Sequence, residues 1–114
     1  MIHRGGCHCG KVTIEVEGEI GGVISCNCSI CQKRGSLLWF APRDKMKVTG
    51  EEELTTYTFN KHVIKHRFCK ICGVLPFGEG VDPKGNKMAA INIRVLDGIE
   101  IEKIPVQHYN GRAM

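Results

Sequence analysis

The stretch Cys69-Lys70-Ile71-Cys72-Gly73 decides the fold of this chain, because Cys-x-x-Cys-Gly is the pattern of a zinc knuckle. Two thiolates converge at such a bend, and the glycine lets the backbone turn so that amide groups face the sulfur atoms. Upstream, Cys7-His8-Cys9-Gly10 is a version of this turn that is one residue shorter. Together the two turns offer four thiolates, which is the ligand number of a closed structural zinc site.

A third cluster, Cys26-Asn27-Cys28-Ser29-Ile30-Cys31, lies between the two knuckles and brings the total to seven cysteines. Seven divides naturally into four and three, and a catalytic zinc commonly has three protein ligands and one open position. The favoured division predicts two zinc ions per chain. The structural zinc would be held by Cys7, Cys9, Cys69 and Cys72, and the catalytic zinc by Cys26, Cys28 and Cys31.

Two alternatives to this division stay open from the residues alone. Cys7 and Cys9 could join two cysteines of the middle cluster, which would leave Cys69 and Cys72 as an incomplete site. Both sites could also serve the fold only, with the seventh cysteine spare and buried. A disulfide framework is disfavoured, because the cysteine count is odd and the first residues contain no apolar stretch typical of a signal peptide.

The composition excludes several classes of protein. The chain has 114 residues, of which 42% are hydrophobic and 25% charged, so we expect one globular domain over residues 1–114. Its longest apolar run, residues 37–41, is far shorter than the roughly 20 residues of a membrane span, so we expect a cytoplasmic protein. The formal charge is +4, but seven thiolates and two zinc ions would change it to about +1. This near-neutral charge disfavours nucleic acid as a partner.

Short alternating segments separated by glycine-containing turns predict a mainly β fold. Residues 11–17 alternate, with Val12, Ile14 and Val16 on one face. Residues 37–41 are predicted to form a strand buried on both faces. Further strands are predicted at 22–25, 46–49, 54–59, 63–68, 74–77 and 88–95, and 99–101 could extend the sheet. Residues 29–34 could form one helical turn.

The three cysteine motifs, in this order, resemble those of the glutathione-dependent formaldehyde-activating enzyme family, which includes the domain of centromere protein V. The stretch Asn92-Ile93-Arg94-Val95-Leu96-Asp97-Gly98 is similar to the Asn-x-Arg-x-Leu-Asp segment of that family. The resemblance implies an Mss4-like fold of short antiparallel strands, structural zinc on the outer cysteine pairs and catalytic zinc on the middle three. It also implies Arg94 as a candidate active-site cation and carbon–sulfur lyase chemistry, which interconverts S-(hydroxymethyl)glutathione with glutathione and formaldehyde.

Zinc with three thiolates carries a net charge of about −1 and is a weaker Lewis acid than zinc with three histidines. It suits the binding of a substrate thiolate in the open position. We therefore expect a lyase acting on a thiol–aldehyde adduct, with a small thiol such as glutathione and an aldehyde as partners. The alternative is a zinc-stabilised binding module for protein or chromatin, without catalysis.

Residues outside the cysteine clusters give weaker signals. Lys33 and Arg34 follow the middle cluster and could hold a substrate carboxylate or simply face solvent. Trp39 and Phe40 are expected in the core, although one of them could wall a substrate pocket. His66 has no ligand spacing to another histidine, so we expect it to be an ordinary strand residue.

Overall fold

The computed structural model describes residues 1–59 and 61–111, and β-strands dominate this part of the chain. The strands in chain order are β1 (Ile2–Gly6), β2 (Thr13–Glu17), β3 (Val23–Cys26), β4 (Leu38–Pro42), β5 (Met46–Thr49), β6 (Leu54–Tyr57), β7 (Lys65–Cys69), β8 (Phe77–Val81), β9 (Lys87–Asn92) and β10 (Val106–Tyr109). One six-residue helix, α1 (Ser29–Arg34), lies between β3 and β4. The predicted mainly β fold and the predicted helical turn at residues 29–34 are both confirmed.

The strands form two sheets. β1, β2 and β5 make a small antiparallel sheet with β2 in the middle. The large sheet has the order β10-β3-β4-β9-β8-β7-β6. All neighbours in it are antiparallel except β10 and β3, which run parallel. The expectation of antiparallel strands is therefore correct for every described pair but this one.

The main hydrophobic core receives buried side chains from both sheets. The alternation predicted for residues 11–17 is confirmed, since Val12, Ile14 and Val16 are all buried. The members of the main core are Ile14, Val16, Val23, Trp39, Ala41, Met46, Phe77, Ala89, Ile91, Ile93 and Leu96. A second, smaller cluster joins Cys7, Val12 and Cys69. The large sheet thus places one face on the core, and its other face is available for other contacts.

β4 corrects the prediction that residues 37–41 are buried on both faces. Trp39 and Ala41 point into the core, but Phe40 is 47% exposed on the opposite face of the sheet. A strand is buried on both faces only when a second layer covers the sheet. The only α-helix in the described residues is α1, and with six residues it is too short to cover β4. This position of Phe40 fits the second expectation for it, which is a place in the wall of a pocket.

The other differences lie at strand boundaries. The strand predicted at 74–77 begins only at Phe77, and the strand predicted at 88–95 ends at Asn92. The Asn92 side chain accepts a hydrogen bond from the Arg94 amide at 3.2 Å and so caps a single 3-10 turn, Ile93–Val95. Residues 99–101 do not extend the sheet, and the edge strand is instead β10. In the described part of the chain, no helix has the length and apolar character that crossing a membrane requires.

Candidate metal centres

Two groups of cysteine thiols come together in the fold, with the membership that the count of four and three favoured. In each group the sulfur atoms all lie within 4.8 Å of one another, so each group could hold a metal ion. The four-cysteine group contains Cys7, Cys9, Cys69 and Cys72, and the three-cysteine group contains Cys26, Cys28 and Cys31. No described cysteine forms a disulfide.

The four-cysteine group is built by two backbone turns of similar construction. Gly10 and Gly73 each follow the second cysteine of their knuckle, and both have φ of +81°, a left-handed conformation that favours glycine. In each turn an amide donates to the first sulfur at 3.4 Å, from Val12 to Cys7 and from Ile71 to Cys69. The Sγ atoms of Cys9 and Cys69, 60 positions apart in sequence, are 3.6 Å apart. The group therefore connects the beginning of the chain to its second half.

Amide groups around this group favour thiolate over thiol. Hydrogen bonds from the backbone amide of Val74, and then from that of Cys9, lower the pKa of Cys72 to about 6. Cys72 is thus mostly thiolate at neutral pH, which is the form that binds metal. Four convergent sulfur atoms with amide donors are the donor set of a closed zinc or iron–sulfur type site.

The three-cysteine group is local and sits at the start of α1. Cys28 is the N-cap residue of the helix and Cys31 lies within it, while Cys26 ends β3. The Cys28 amide donates to the Cys26 sulfur at 3.4 Å. Burial opposes ionisation of Cys28, but hydrogen bonds from the backbone amides of Cys31 and Ile30 and from the Cys31 and Cys26 side chains bring its pKa below the ordinary value. Burial, together with the neighbouring thiols, raises the pKa of Cys31 to about 12.

The C-terminal segment packs directly against this group. The parallel pairing of β10 with β3 brings Tyr109 to Cys26, and the Asn27 amide donates to the Tyr109 carbonyl at 3.2 Å. A Cβ atom at Gly111 would lie 2.6 Å from the Cys26 sulfur, so only glycine fits there without displacement. The sequence offered no signal for this contact, because the residues lie more than eighty positions apart.

A cleft of about 590 Å³ adjoins the three-cysteine group, with Cys26, Cys28 and Cys31 in its wall. Its floor is the face of the large sheet opposite the core. Strand register places Phe40 of β4 beside Ala90 of β9, Ala90 beside Gly78 of β8, and Gly78 beside His66 of β7. Ala90 and Gly78 in the middle of this row are small, so the surface of the sheet is hollow there. The rings of Phe40 and His66 lie at the two ends of the row.

Arg34 and His66 provide a polar corner of the cleft. An Arg34 Nη1 lies 3.4 Å from Nδ1 of His66, and because a guanidinium can only donate, Nδ1 must accept and the ring proton must sit on Nε2. Burial, with help from the Arg34 charge, lowers the pKa of His66, so the ring is neutral at physiological pH. Its Nε2 is buried and has no hydrogen-bond partner in the described part of the chain. The sequence predicts an ordinary strand residue at His66. The available signal for a different role is its position between the charged residues Lys65 and Arg67, because neighbouring residues of a strand point to opposite faces of the sheet.

Arg94, the other candidate cation, lies away from this cleft. It is exposed and lines a neighbouring pocket of about 450 Å³ together with Asn92 and Gly73. Arg34 lines both pockets and lies between them. Lys33 is exposed and lines neither pocket. The fold thus brings Arg34, rather than Arg94, to the wall that the three cysteines share.

Comparison with known proteins gives one family description for this chain. The family model described as glutathione-dependent formaldehyde-activating enzyme matches residues 2–110. Two curated relatives, from Colletotrichum graminicola and Talaromyces marneffei, are provisionally named as glutathione-dependent formaldehyde-activating enzymes. They are 35% and 31% identical over 78 residues, which is 63% of this chain in each case. The aligned part is only 41% and 42% of the two relatives, so the chain spans about two fifths of their length.

A solved structure shows the same fold over nearly the whole chain. The crystal structure of a Rhodobacter sphaeroides protein superposes with a TM-score of 0.78 at 31% sequence identity. The match covers 91% of this chain and 99% of the other.

Proposed function

The chain belongs to the glutathione-dependent formaldehyde-activating enzyme family, and on that premise we propose that it is a zinc-dependent carbon–sulfur lyase acting on a thiol–aldehyde adduct. The activity would be like that of S-(hydroxymethyl)glutathione synthase, with a small thiol such as glutathione and an aldehyde as the partners. In this proposal the four-cysteine group holds a structural zinc and the three-cysteine group holds a catalytic one.

The donor sets support this division of labour. Four thiols within 4.8 Å of one another fill the tetrahedral coordination of zinc, which leaves no position for a substrate. Three thiols leave one position free, and these three are the ones that line the cleft. The juxtaposition of an incomplete thiolate set with a cleft is the observation that carries the proposal.

Bound zinc would supply an open position at which a substrate sulfur is held as thiolate. The cleft then brings the aldehyde carbon to that sulfur, and such positioning accounts for much of the acceleration, because the addition already proceeds without a catalyst. In the synthetic direction the carbon–sulfur bond forms and the carbonyl oxygen becomes a hydroxyl, with a proton from solvent. In the reverse direction the hydroxyl loses its proton and the carbon–sulfur bond breaks.

Arg34 is the side chain suited to the oxygen of the adduct, because it lines the cleft together with the three cysteines. Nδ1 of His66 accepts a hydrogen bond from the guanidinium and so positions it, while Nε2 of His66 is buried and out of reach of a substrate oxygen. Arg34, which has no carboxylate partner among the described residues, places positive charge where negative charge develops on that oxygen.

Magnetisation-exchange NMR of formaldehyde with glutathione tests the proposal. We expect the zinc-loaded wild-type protein to exchange the hydroxymethyl group faster than the spontaneous background. Cys28→Ser should remain folded, keep about one zinc ion and lose the acceleration, since its loss leaves an incomplete local site. Ser29→Ala is the matched control, because Ser29 is the exposed neighbour of Cys28 and offers no sulfur ligand.

The lyase proposal would be overturned if the zinc-loaded protein exchanged the hydroxymethyl group no faster than the spontaneous background, both with glutathione and with other cellular thiols. The protein would then be better described as a zinc-stabilised binding module. If Cys28→Ser instead unfolds as completely as a variant of the four-cysteine group, the three-cysteine group is structural as well.

A further inference from the structure

The outer face of the large sheet has an unexpected composition. An antiparallel sheet that packs one face on the core normally presents polar residues on the other. Here the outward positions of β4 and β9 include Leu38, Phe40, Met88 and Ala90, which all line the cleft. Asn92 is the polar residue in the same phase, and it lines the neighbouring pocket instead. The register therefore builds an apolar floor where a solvated surface is the usual outcome.

Small residues give this floor its depth. Ala90 and Gly78 are paired in the row between Phe40 and His66, and Gly80 follows on the same face of β8. A Cβ atom added at Gly80 would lie 3.8 Å from the Ile64 side chain, so Ile64 overhangs the hollow. The hollow is thus bounded by large side chains and is not simply a flat part of the sheet.

The rim is mostly apolar and open to solvent, and the acidic residues among those that line the cleft are Glu79 and Asp82. Phe40 and Ile64 are 47% and 52% exposed, and Val81 and Tyr109 are also exposed. Contiguous exposed apolar side chains around a concave surface mark a place where ligand replaces water. They lie beside the three-cysteine group, and the polar corner formed by Arg34 and His66 lies on the same cleft.

We propose that this cleft binds an apolar substituent of the adduct, so that the substrate is a thiol–aldehyde adduct with a hydrocarbon group of several carbons. The inference rests on the proposed function and names its substrate class. Formaldehyde contributes only one carbon, about the volume of a water molecule of ~30 Å³, to a cleft of about 590 Å³. Glutathione is large enough to fill more of it, but its two carboxylates and its ammonium group do not match an apolar floor that has Arg34 as the single cation among the described residues of its lining. The apolar group is either the remainder of a larger aldehyde or the body of the thiol, and Arg34 suits one negative charge on the same molecule.

Two unreactive thioether probes separate these sources by binding alone. S-hexylglutathione carries the hydrocarbon on the aldehyde side of the sulfur, and 6-(methylthio)hexanoate carries it on the thiol side with a single carboxylate. Isothermal titration calorimetry on the zinc-loaded protein compares S-hexylglutathione with S-methylglutathione, and 6-(methylthio)hexanoate with 3-(methylthio)propanoate. Each buried methylene strengthens binding by up to about fourfold, so we expect at least one of the two probes to bind about tenfold tighter or more than its short reference. The probe that gains affinity over its reference identifies the side that bears the hydrocarbon.

A pair of adjacent substitutions locates the binding. Ile64→Ser should remove most of the advantage of the tighter probe, whereas Val63→Ser should leave it unchanged. Val63 is the matched control because it is the neighbouring apolar residue, is 66% exposed and does not line the cleft. Circular dichroism checks that both variants are folded, which we expect because both side chains are exposed.

The outcomes distinguish this inference from the proposed function. If neither probe binds tighter than its short reference, or if Ile64→Ser has no effect, the apolar substrate class is wrong, even where formaldehyde exchange with glutathione is accelerated. If a probe binds tighter and Ile64→Ser weakens it while no thiol–aldehyde pair is turned over, the cleft is an apolar ligand site and the lyase proposal is the one that fails.

Discussion

Cys69→Ser should destabilise the zinc-loaded protein more than Cys31→Ser, although both thiols are buried. The four-cysteine group joins Cys9 to Cys69 across 60 positions, whereas the three-cysteine group closes only residues 26–31. A cross-link restricts the unfolded chain by an entropy that grows as about 1.5R ln n with the loop length n. For these two spans the difference at 25 °C is about 2 kcal/mol in favour of the long-range group.

Urea titration followed by circular dichroism measures this difference, and zinc is counted in parallel for each variant. Both substitutions replace a buried thiol by a hydroxyl, so the cost of burying the new group largely cancels between them. The expectation is also met if Cys69→Ser is already unfolded without urea while Cys31→Ser is folded. Losses of unfolding free energy that agree within about 0.5 kcal/mol, or a larger loss for Cys31→Ser, would refute the reasoning from loop length.

Two further predictions concern His66 and Gly111. Burial and the neighbouring Arg34 charge keep the pKa of His66 below its ordinary value, so the unfolded chain binds more protons as the pH falls through about 6.5. The unfolding free energy of wild type should therefore drop between about pH 7.5 and 5.5 more steeply than that of His66→Gln; equal slopes in urea titrations would contradict this. Gly111→Ala places a Cβ atom 2.6 Å from the Cys26 sulfur and should make one of two zinc ions easier to remove with a chelator, whereas Gly21→Ala, whose added Cβ meets nothing within 4 Å, should not.

The local features of the fold could be predicted from the sequence. The alternation of Val12, Ile14 and Val16 matches their burial, and residues 29–34 form the predicted helical turn. Ligand numbers favoured the grouping of seven thiols into four and three, because this division leaves no half-filled zinc site, and the residues alone left another division open. These inferences depend on spacing within a segment or on counting.

The cleft could not be predicted, because it depends on strand register. Phe40, Ala90, Gly78 and His66 come from four strands, and only the pairing of those strands aligns them in one row. An apolar residue such as Phe40 fits either the core or a cleft, so its type does not reveal which face it occupies. The contact of Gly111 with Cys26 is hidden for the same reason, since it follows from the parallel pairing of β10 with β3.

The distance along the chain between the two knuckles also has a consequence for the order of events during synthesis. The three-cysteine group is complete once residue 31 has left the ribosome, but the four-cysteine group must wait until Cys72 emerges. In that interval Cys7 and Cys9 are available to a metal ion already held by the middle cluster. The hairpin of β1 and β2 needs only the first seventeen residues and pairs Gly6 with Thr13. It can therefore pair before Cys69 and Cys72 emerge, and the later pairing of β5 with β2 stabilises the hairpin that carries the Cys7–Cys9 turn at its tip.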